Sequence, residues 1–272
     1  MRKVLQIGSA FIGIIVGAGF ASGQEILQYF TSFGYIGILG GIVATALFAY
    51  IGMILAKLGS RLQATSHRGA IYKISGRFLG TIIDYIIIFT LFGVGVVMLA
   101  GGGSILNQQF GLPAFVGSMI MTILVLLTVM LNVSRVVKVI GSITPFLILA
   151  VIILSIYNLV TVDASFASLD SVAREHPSAT PNWFLSAINY VSFNIAVGVS
   201  MTLVMGGNEK NEKTAAWGGL IGGLGIGILI LISHLTIFSQ VDVAGTYEMP
   251  MLSIADSLLP GTGLLYSLFY LV

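Results

Sequence analysis

Glu25 is a carboxylate at the end of the segment Ile12-Gly-Ile-Ile-Val-Gly-Ala-Gly-Phe-Ala-Ser-Gly-Gln-Glu25, set inside a long apolar run. An acid in such surroundings can carry a proton or pair with a substrate amine. It can also serve the backbone, because Ser22-Gly-Gln-Glu25 has the S-x-x-E spacing of a capping box that restarts a helix after a break. Gly17, Gly19 and Gly23 weaken a continuous helix at this point, so the spacing predicts two half-helices interrupted at 17–21. Such an interruption frees amides and carbonyls, which can hold anions and cations without any charged side chain. A second run, Ile188-Asn-Tyr-Val-Ser-Phe-Asn-Ile-Ala-Val-Gly-Val-Ser-Met-Thr202, places Asn189, Ser192, Asn194, Gly198, Ser200 and Thr202 in an otherwise apolar stretch. By the same reasoning it predicts a non-helical segment within 192–198. An unbroken helix at either place would overturn a transporter reading.

The elements that carry these runs are membrane helices. Of 272 residues, 57% are hydrophobic and 8% charged, against about 25% charged in an average soluble domain. That leaves too few polar groups to cover a water-facing surface and excludes a soluble enzyme, a nucleic-acid binder and a disordered chain. A net charge of +2 gives no footing for a polyanionic partner, and the absence of cysteine removes disulfides and thiolate chemistry. A spanning helix needs about 20 apolar residues. Seven stretches qualify: 4–30, 36–55, 79–106, 113–131, 136–161, 183–206 and 215–238. An eighth begins near Thr262 and is still apolar at Val272, which reads as a chain cut within its eighth helix. Eleven of the twelve basic residues fall on one side of these spans: Arg2, Lys3, Lys57, Arg61, Arg68, Lys73, Arg77, Arg135, Lys138, Lys210 and Lys213. The positive-inside rule then predicts a cytoplasmic N-terminus in a cytoplasmic (inner) membrane, with Asp170 and Glu248 outside.

Other residues read more plainly. Asp84, near the basic residues Lys73 and Arg77, suits an interfacial ion pair, and Tyr72-Lys-Ile-Ser-Gly76 a short interfacial helix. His234 reads as a packed, hydrogen-bonded histidine ahead of a proton relay. Gly218, Gly222, Gly219, Gly223 and Gly227, like Gly37 and Gly41, form small-xxx-small faces for helix packing. Gly101-Gly-Gly103 is a candidate hinge. Three scattered histidines make no metal site, and without G-x-x-x-x-G-K-[ST] there is no ATP-driven step.

The run Val16-Gly-Ala-Gly-Phe-Ala-Ser-Gly-Gln-Glu25, with Tyr190-Val-Ser-Phe-Asn194, resembles the YkvI-like bacterial membrane proteins, within the amino acid–polyamine–organocation superfamily. Gly17-Ala-Gly19 also resembles the G-x-G of that superfamily's first helix. The resemblance implies an all-α polytopic membrane protein of the LeuT-type five-plus-five inverted-repeat fold. Residues 1–162 would be the first repeat and 183–272 a partial second, with helices 1 and 6 interrupted and the chain truncated in helix 8. It implies that Gly17, Ala18, Gly19, Phe20, Ser22 and Glu25 face a substrate carboxylate or amine. Ser192, Phe193, Asn194 and Gly198 would line the opposite wall, and the carbonyls of Gly13 and Val16 would meet a cation. The expected function is a secondary transporter of an amino acid or similar small solute, coupled to Na⁺ or H⁺, without cofactor or resident metal. Its other partner is the lipid bilayer. A membrane receptor that binds such a solute without moving it is the alternative, and an intramembrane enzyme lacks a nucleophile–base pair. A chain lacking the rest of its second repeat is expected to bind poorly and transport nothing.

Overall fold

The computed structural model describes residues 1–130, 133–161 and 166–258, and these are helical with no strand among them. The first span is three pieces, α1 (Arg2–Ile15), α2 (Ala18–Ser22) and α3 (Gln24–Tyr29), followed by a 3₁₀ turn at Thr31–Phe33. Then come α4 (Ile36–Leu62), α5 (His67–Phe110), α6 (Ala114–Val129), α7 (Val133–Thr161) and α8 (Phe166–Glu175). The chain continues through α9 (Trp183–Gly207), α10 (Glu212–Phe238), α11 (Val241–Ala244) and α12 (Pro250–Leu258). Pro250 opens α12 at its first helical position, where a missing N–H costs nothing. The expected eighth span near Thr262 lies outside the described residues.

Among the described residues, α4, α5, α9 and α10 are long and apolar enough to cross a bilayer, and 114–128 and 148–161 are shorter apolar helices. Large apolar side chains point outward along them: Phe89 is 78% exposed, Phe115 74% and Val160 80%. A surface of that kind is stable only against lipid. The chain is a multi-pass membrane protein.

The residues gather in two compact units, each drawing on both expected repeats. The first comprises Met1–Ile15, Leu39–Val94 and Thr180–Leu231, and glycine sets how closely its helices approach. A Cβ on Gly219 would strike the carbonyl oxygen of Gly52, and one on Gly223 would strike the backbone of Phe48 and Ala49. This brings α10 against α4 with almost no side chain between them. The other glycine face of α10 receives α1, with Gly218 and Gly222 against Ile7, Gly8 and Phe11. Phe48 and Tyr190 meet edge to face at 6.1 Å in the same interior. Without a hydrophobic drive between helices in lipid, such close approach supplies the dispersion contact that holds them together.

Caps start α9 and α10, and ion pairs finish the end of this unit where α10 begins. Asn182 accepts from the amides of Phe184 and Leu185 to start α9, and Asn211 accepts from those of Lys213 and Thr214 to start α10. Glu209 pairs with Lys3 at 2.9 Å and accepts from the Asn211 amide at 3.0 Å, while Ser60 donates to the Glu209 carbonyl. The Asn211 amide first, and Lys3 after it, hold the Glu209 carboxyl below its usual range. Arg61 pairs with Glu212 at 3.5 Å. The N-terminus, the end of α4 and the α9–α10 turn therefore share one end of the unit.

Gly76 adopts φ 72°, ψ 177° inside α5 and separates a short leading helix from the span. That turn corrects the expected partners of Asp84. They are His67 at 3.0 Å and Arg68 at 3.4 Å, because the chain reverses direction at Gly76 and returns the first turn, rather than Lys73 or Arg77, to the carboxylate.

The second unit comprises Val16–Ile38, Gly95–Ala179 and Ile232–Val272. In it α8 lies against the 3₁₀ turn and α11, and α12 against α2 and α7. Asp170 on α8 accepts from the Tyr35 amide and from Arg174, each at 2.8 Å. Gly102 and Gly103 let α6 approach α5, with Met121 and Ser118 against them, and the helix runs through them unbroken rather than hinging.

The glycine contacts separate two outcomes for one substitution. Gly219→Ala drives a methyl into the Gly52 carbonyl and is expected to cost roughly 1–3 kcal/mol, seen as a lower melting temperature in detergent. Gly93→Ala meets nothing within 4 Å inside α5 and is expected to leave stability unchanged or raise it by up to about 1 kcal/mol.

Candidate functional site

Helix α1 ends at Ile15, and Gly17 is extended at φ −90°, ψ −168°. One turn of helix follows, closed by Ala21 N–H to Gly17 O at 3.0 Å and Gly23 N–H to Phe20 O at 3.0 Å. The amides of Ala18, Gly19 and Phe20 precede the first closure, as in the opening turn of any helix. Phe20, Ala21 and Ser22 are buried, and Gly17 and Gly19 are half-buried. The span is interrupted, but not over 17–21 as expected: 18–22 form a short helix, and the non-helical residues on either side of it are 16–17 and Gly23, where φ is 84°. Glycine is required there, since a side chain would be strained and would meet Met251 and Ile237.

Ser22 works differently from a capping box. Its hydroxyl donates to the Gly19 carbonyl at 2.8 Å and accepts from the Gln24 amide at 3.1 Å, one residue earlier than the S-x-x-E pattern uses. The left-handed Gly23 shifts the start of α3 by that residue. Ser22 thus ties the last turn of α2 to the first amide of α3. Glu25 stands in the first turn of α3, where the helix dipole favours a negative charge, and its carboxylate lies directly against Gly19. A methyl at position 19 would collide with it, so Gly19 is what lets the acid reach back over α2.

The second expected interruption is absent. α9 is helical from Trp183 to Gly207, through Ser192, Phe193, Asn194 and Gly198, in the first unit. Two of its polar side chains bond to their own helix. Asn194 donates to the Tyr190 carbonyl at 3.0 Å, and Thr202 to the Gly198 carbonyl at 2.8 Å. Gly198 is there for close approach, with Ile14 and Ile15 of α1 against it. Gly13 lies on that same α1 in the first unit, whereas Val16 to Glu25 belong to the second. The structure therefore assembles Gly17, Gly19, Phe20, Ser22 and Glu25 around one turn and places the α9 residues on an intact helix.

Of two buried polar groupings in the second unit, His234 is the packed, hydrogen-bonded histidine expected, and the group around Asn158 escaped the sequence reading. His234, fully buried, shares a hydrogen bond of 3.0 Å with Thr31, stacks on Phe238, and has no partner for Nε2 among the described residues. Asn158, also fully buried, donates to Ser239 at 2.7 Å and accepts from Gln240. Each partner is more than 75 positions away in sequence, so no local pattern announces it.

Across 265 residues, which is 97% of this chain and 74% of the relative, the sequence is 31% identical to the "Uncharacterized membrane protein YkvI" of Bacillus subtilis strain 168. The chain belongs to the YkvI family. A second relative from the same organism, the "Uncharacterized protein YyaD", is 29% identical over 245 residues, 90% of this chain and 69% of its own. No family profile matches the chain, and no solved structure matches it. The broken first span and the intact α9 are thus features of a YkvI-family membrane protein seen directly in its own fold.

Ser22→Ala in this YkvI-family chain removes both links between α2 and α3. The expected cost is about 1 kcal/mol, with roughly five-fold faster amide hydrogen exchange confined to residues 18–27. Unchanged exchange there would remove the tie assigned to Ser22.

Proposed function

We propose that the protein is a secondary transporter of an amino acid or a similar small carboxylate solute, coupled to Na⁺ or H⁺. We place it in the amino acid–polyamine–organocation superfamily on the LeuT-type five-plus-five plan. The observation that carries this reading is the break at 16–17, after which the chain restarts as a short helix at Ala18 with the half-buried Glu25 carboxylate against Gly19. A membrane protein keeps irregular backbone at depth where it lines a cavity or binds a polar ligand. On this reading the amides of Ala18, Gly19 and Phe20 receive the substrate carboxylate. Glu25 takes its amine or a coupling proton, and carbonyls near the end of α1 offer oxygens to a cation. Asn194 is committed to its own helix, and the proposal rests on the α2–α3 turn without the α9 residues. No cofactor and no enzymatic step form part of the proposal.

The unbroken α9 is the outcome expected from the sequence to overturn the transporter reading, and what still supports that reading is the first interruption alone. It favours the second reading to that extent: a membrane receptor that binds the same kind of solute at α2–α3 without carrying it. Counterflow of labelled amino acids in proteoliposomes, with Na⁺ and pH varied separately, distinguishes the two. Transport predicts accumulation that follows one of the gradients, and binding without flux marks the receptor. Glu25→Gln keeps the volume and a hydrogen-bonding end while removing the charge. It is expected to leave the fold intact and to abolish pH-dependent flux or substrate affinity, and an unchanged rate, affinity and pH profile removes Glu25 from the mechanism.

We also propose a cytoplasmic N-terminus in the cytoplasmic membrane. The shared end of Lys3, Ser60, Arg61, Glu209 and Glu212 supports one side for the N-terminus and two basic loops. The chain has no cysteine, so single cysteines report topology directly. Positions 68 and 210 should label from the cytoplasm and position 170 from outside, and the reverse pattern overturns the orientation.

A further inference from the structure

A groove of about 270 Å³ opens on the first unit between α4 and α10, lined by Lys57, Lys213, Trp217, Met53, Ala216 and Leu220. It lies beside the Gly52–Gly219 contact, where two helices meet without side chains between them and the flanking residues stand around a hollow. Its chemistry changes with depth. Lys213 is in the first turn of α10, Trp217 one turn further in, and Leu220 about 10 Å along the axis from Lys213. On α4, Lys57 lies nearer the helix end and Met53 one turn deeper. The charges therefore stand toward the helix ends, the indole next, and the apolar floor deepest, which is the order of groups in a phospholipid leaflet.

The acids near the groove are already engaged, Glu209 with Lys3 and Glu212 with Arg61. Neither Lys57 nor Lys213 has a carboxylate partner among the described residues. Two ammonium groups above an apolar slot call for a ligand that is anionic at one end and hydrocarbon at the other. We propose that this groove is a binding site for an anionic phospholipid. The phosphate sits between Lys57 and Lys213, an acyl chain runs along Met53 and Leu220, and Trp217 flanks the glycerol region. Such a lipid bridges α4 and α10 at the end where their glycine contact is thinnest in side chains. The site is independent of the transport reading and does not involve the residues of α2 and α3.

The chain has two tryptophans, and the other, Trp183, starts α9 outside the groove. Trp183→Phe therefore makes Trp217 the single indole reporter. In phosphatidylcholine vesicles, brominated phosphatidylglycerol should quench Trp217 at mole fractions at least ten-fold lower than brominated phosphatidylcholine. Lys57→Gln with Lys213→Gln should erase that preference while the melting temperature holds. Native mass spectrometry of the unsubstituted chain provides the second measurement, with phosphatidylglycerol retained at collision energies that strip phosphatidylcholine. Equal quenching by the two lipids, or a preference that survives the double substitution, overturns the site. Relief of quenching by inorganic phosphate marks a free-anion site and overturns it too. So does cross-linking between copies through Trp217→Cys, which assigns the groove to a second copy of the chain.

Discussion

A peptide group in hydrocarbon has no water to bond with, and every backbone N–H and C=O at depth must find its partner within the protein. Most of this chain obeys that constraint in the simplest way, by running as uninterrupted helix through its apolar stretches. α9 shows how far the solution extends. It carries six polar or glycine residues in its middle and remains a helix, with Asn194 and Thr202 bonding to carbonyls one turn back. The first span departs from it. There the chain leaves helix at 16–17, turns again at Gly23, and uses Ser22 to re-tie the two sides. This double break, against the continuous α9, is why the functional reading centres on α2 and α3.

The second consequence of a lipid solvent is that packing has to be won by proximity. In the first unit the approach of α10 to α4 and to α1 is set by glycines on two adjacent faces of α10, with Phe11, Phe48 and Tyr190 buried beside them and other large side chains turned to lipid. That proximity explains why grooves form beside the helix contacts: where the contact itself is backbone, the neighbouring residues have no partner across it.

Much of this was legible in the sequence, and the failures have a common cause. The apolar spans followed from composition and length, and the break near Gly17 from glycines and a serine within a few residues of one another. The small-residue faces of α10 were readable from their spacing of four. What misled was composition without direction. Asn194 and Gly198 suggested an opening, but a polar side chain that folds back on its own helix has the same composition as one that lines a cavity. Asp84 was given the wrong basic partners because Gly76 reverses the chain between them. Ser22 capped a helix, but one residue out of register, since Gly23 took the left-handed position. The Thr31–His234 and Asn158–Ser239 bonds join residues from distant helices, and a linear pattern contains no signal for them.

The contact between α4 and α10 also bears on how the protein is made. The two helices leave the ribosome far apart in time. At a synthesis rate of roughly 5–20 residues per second, α4 stands in the bilayer on the order of 10–30 s before its partner emerges. A face of interlocking bulky residues would spend that interval exposing shaped apolar surface able to pair with the wrong helix. The Gly52 face exposes only backbone whose hydrogen bonds are already closed within α4, and it has no rotamers to lose when α10 arrives. Insertion and pairing can therefore proceed as separate events, with the order of synthesis fixing the first and leaving the second free.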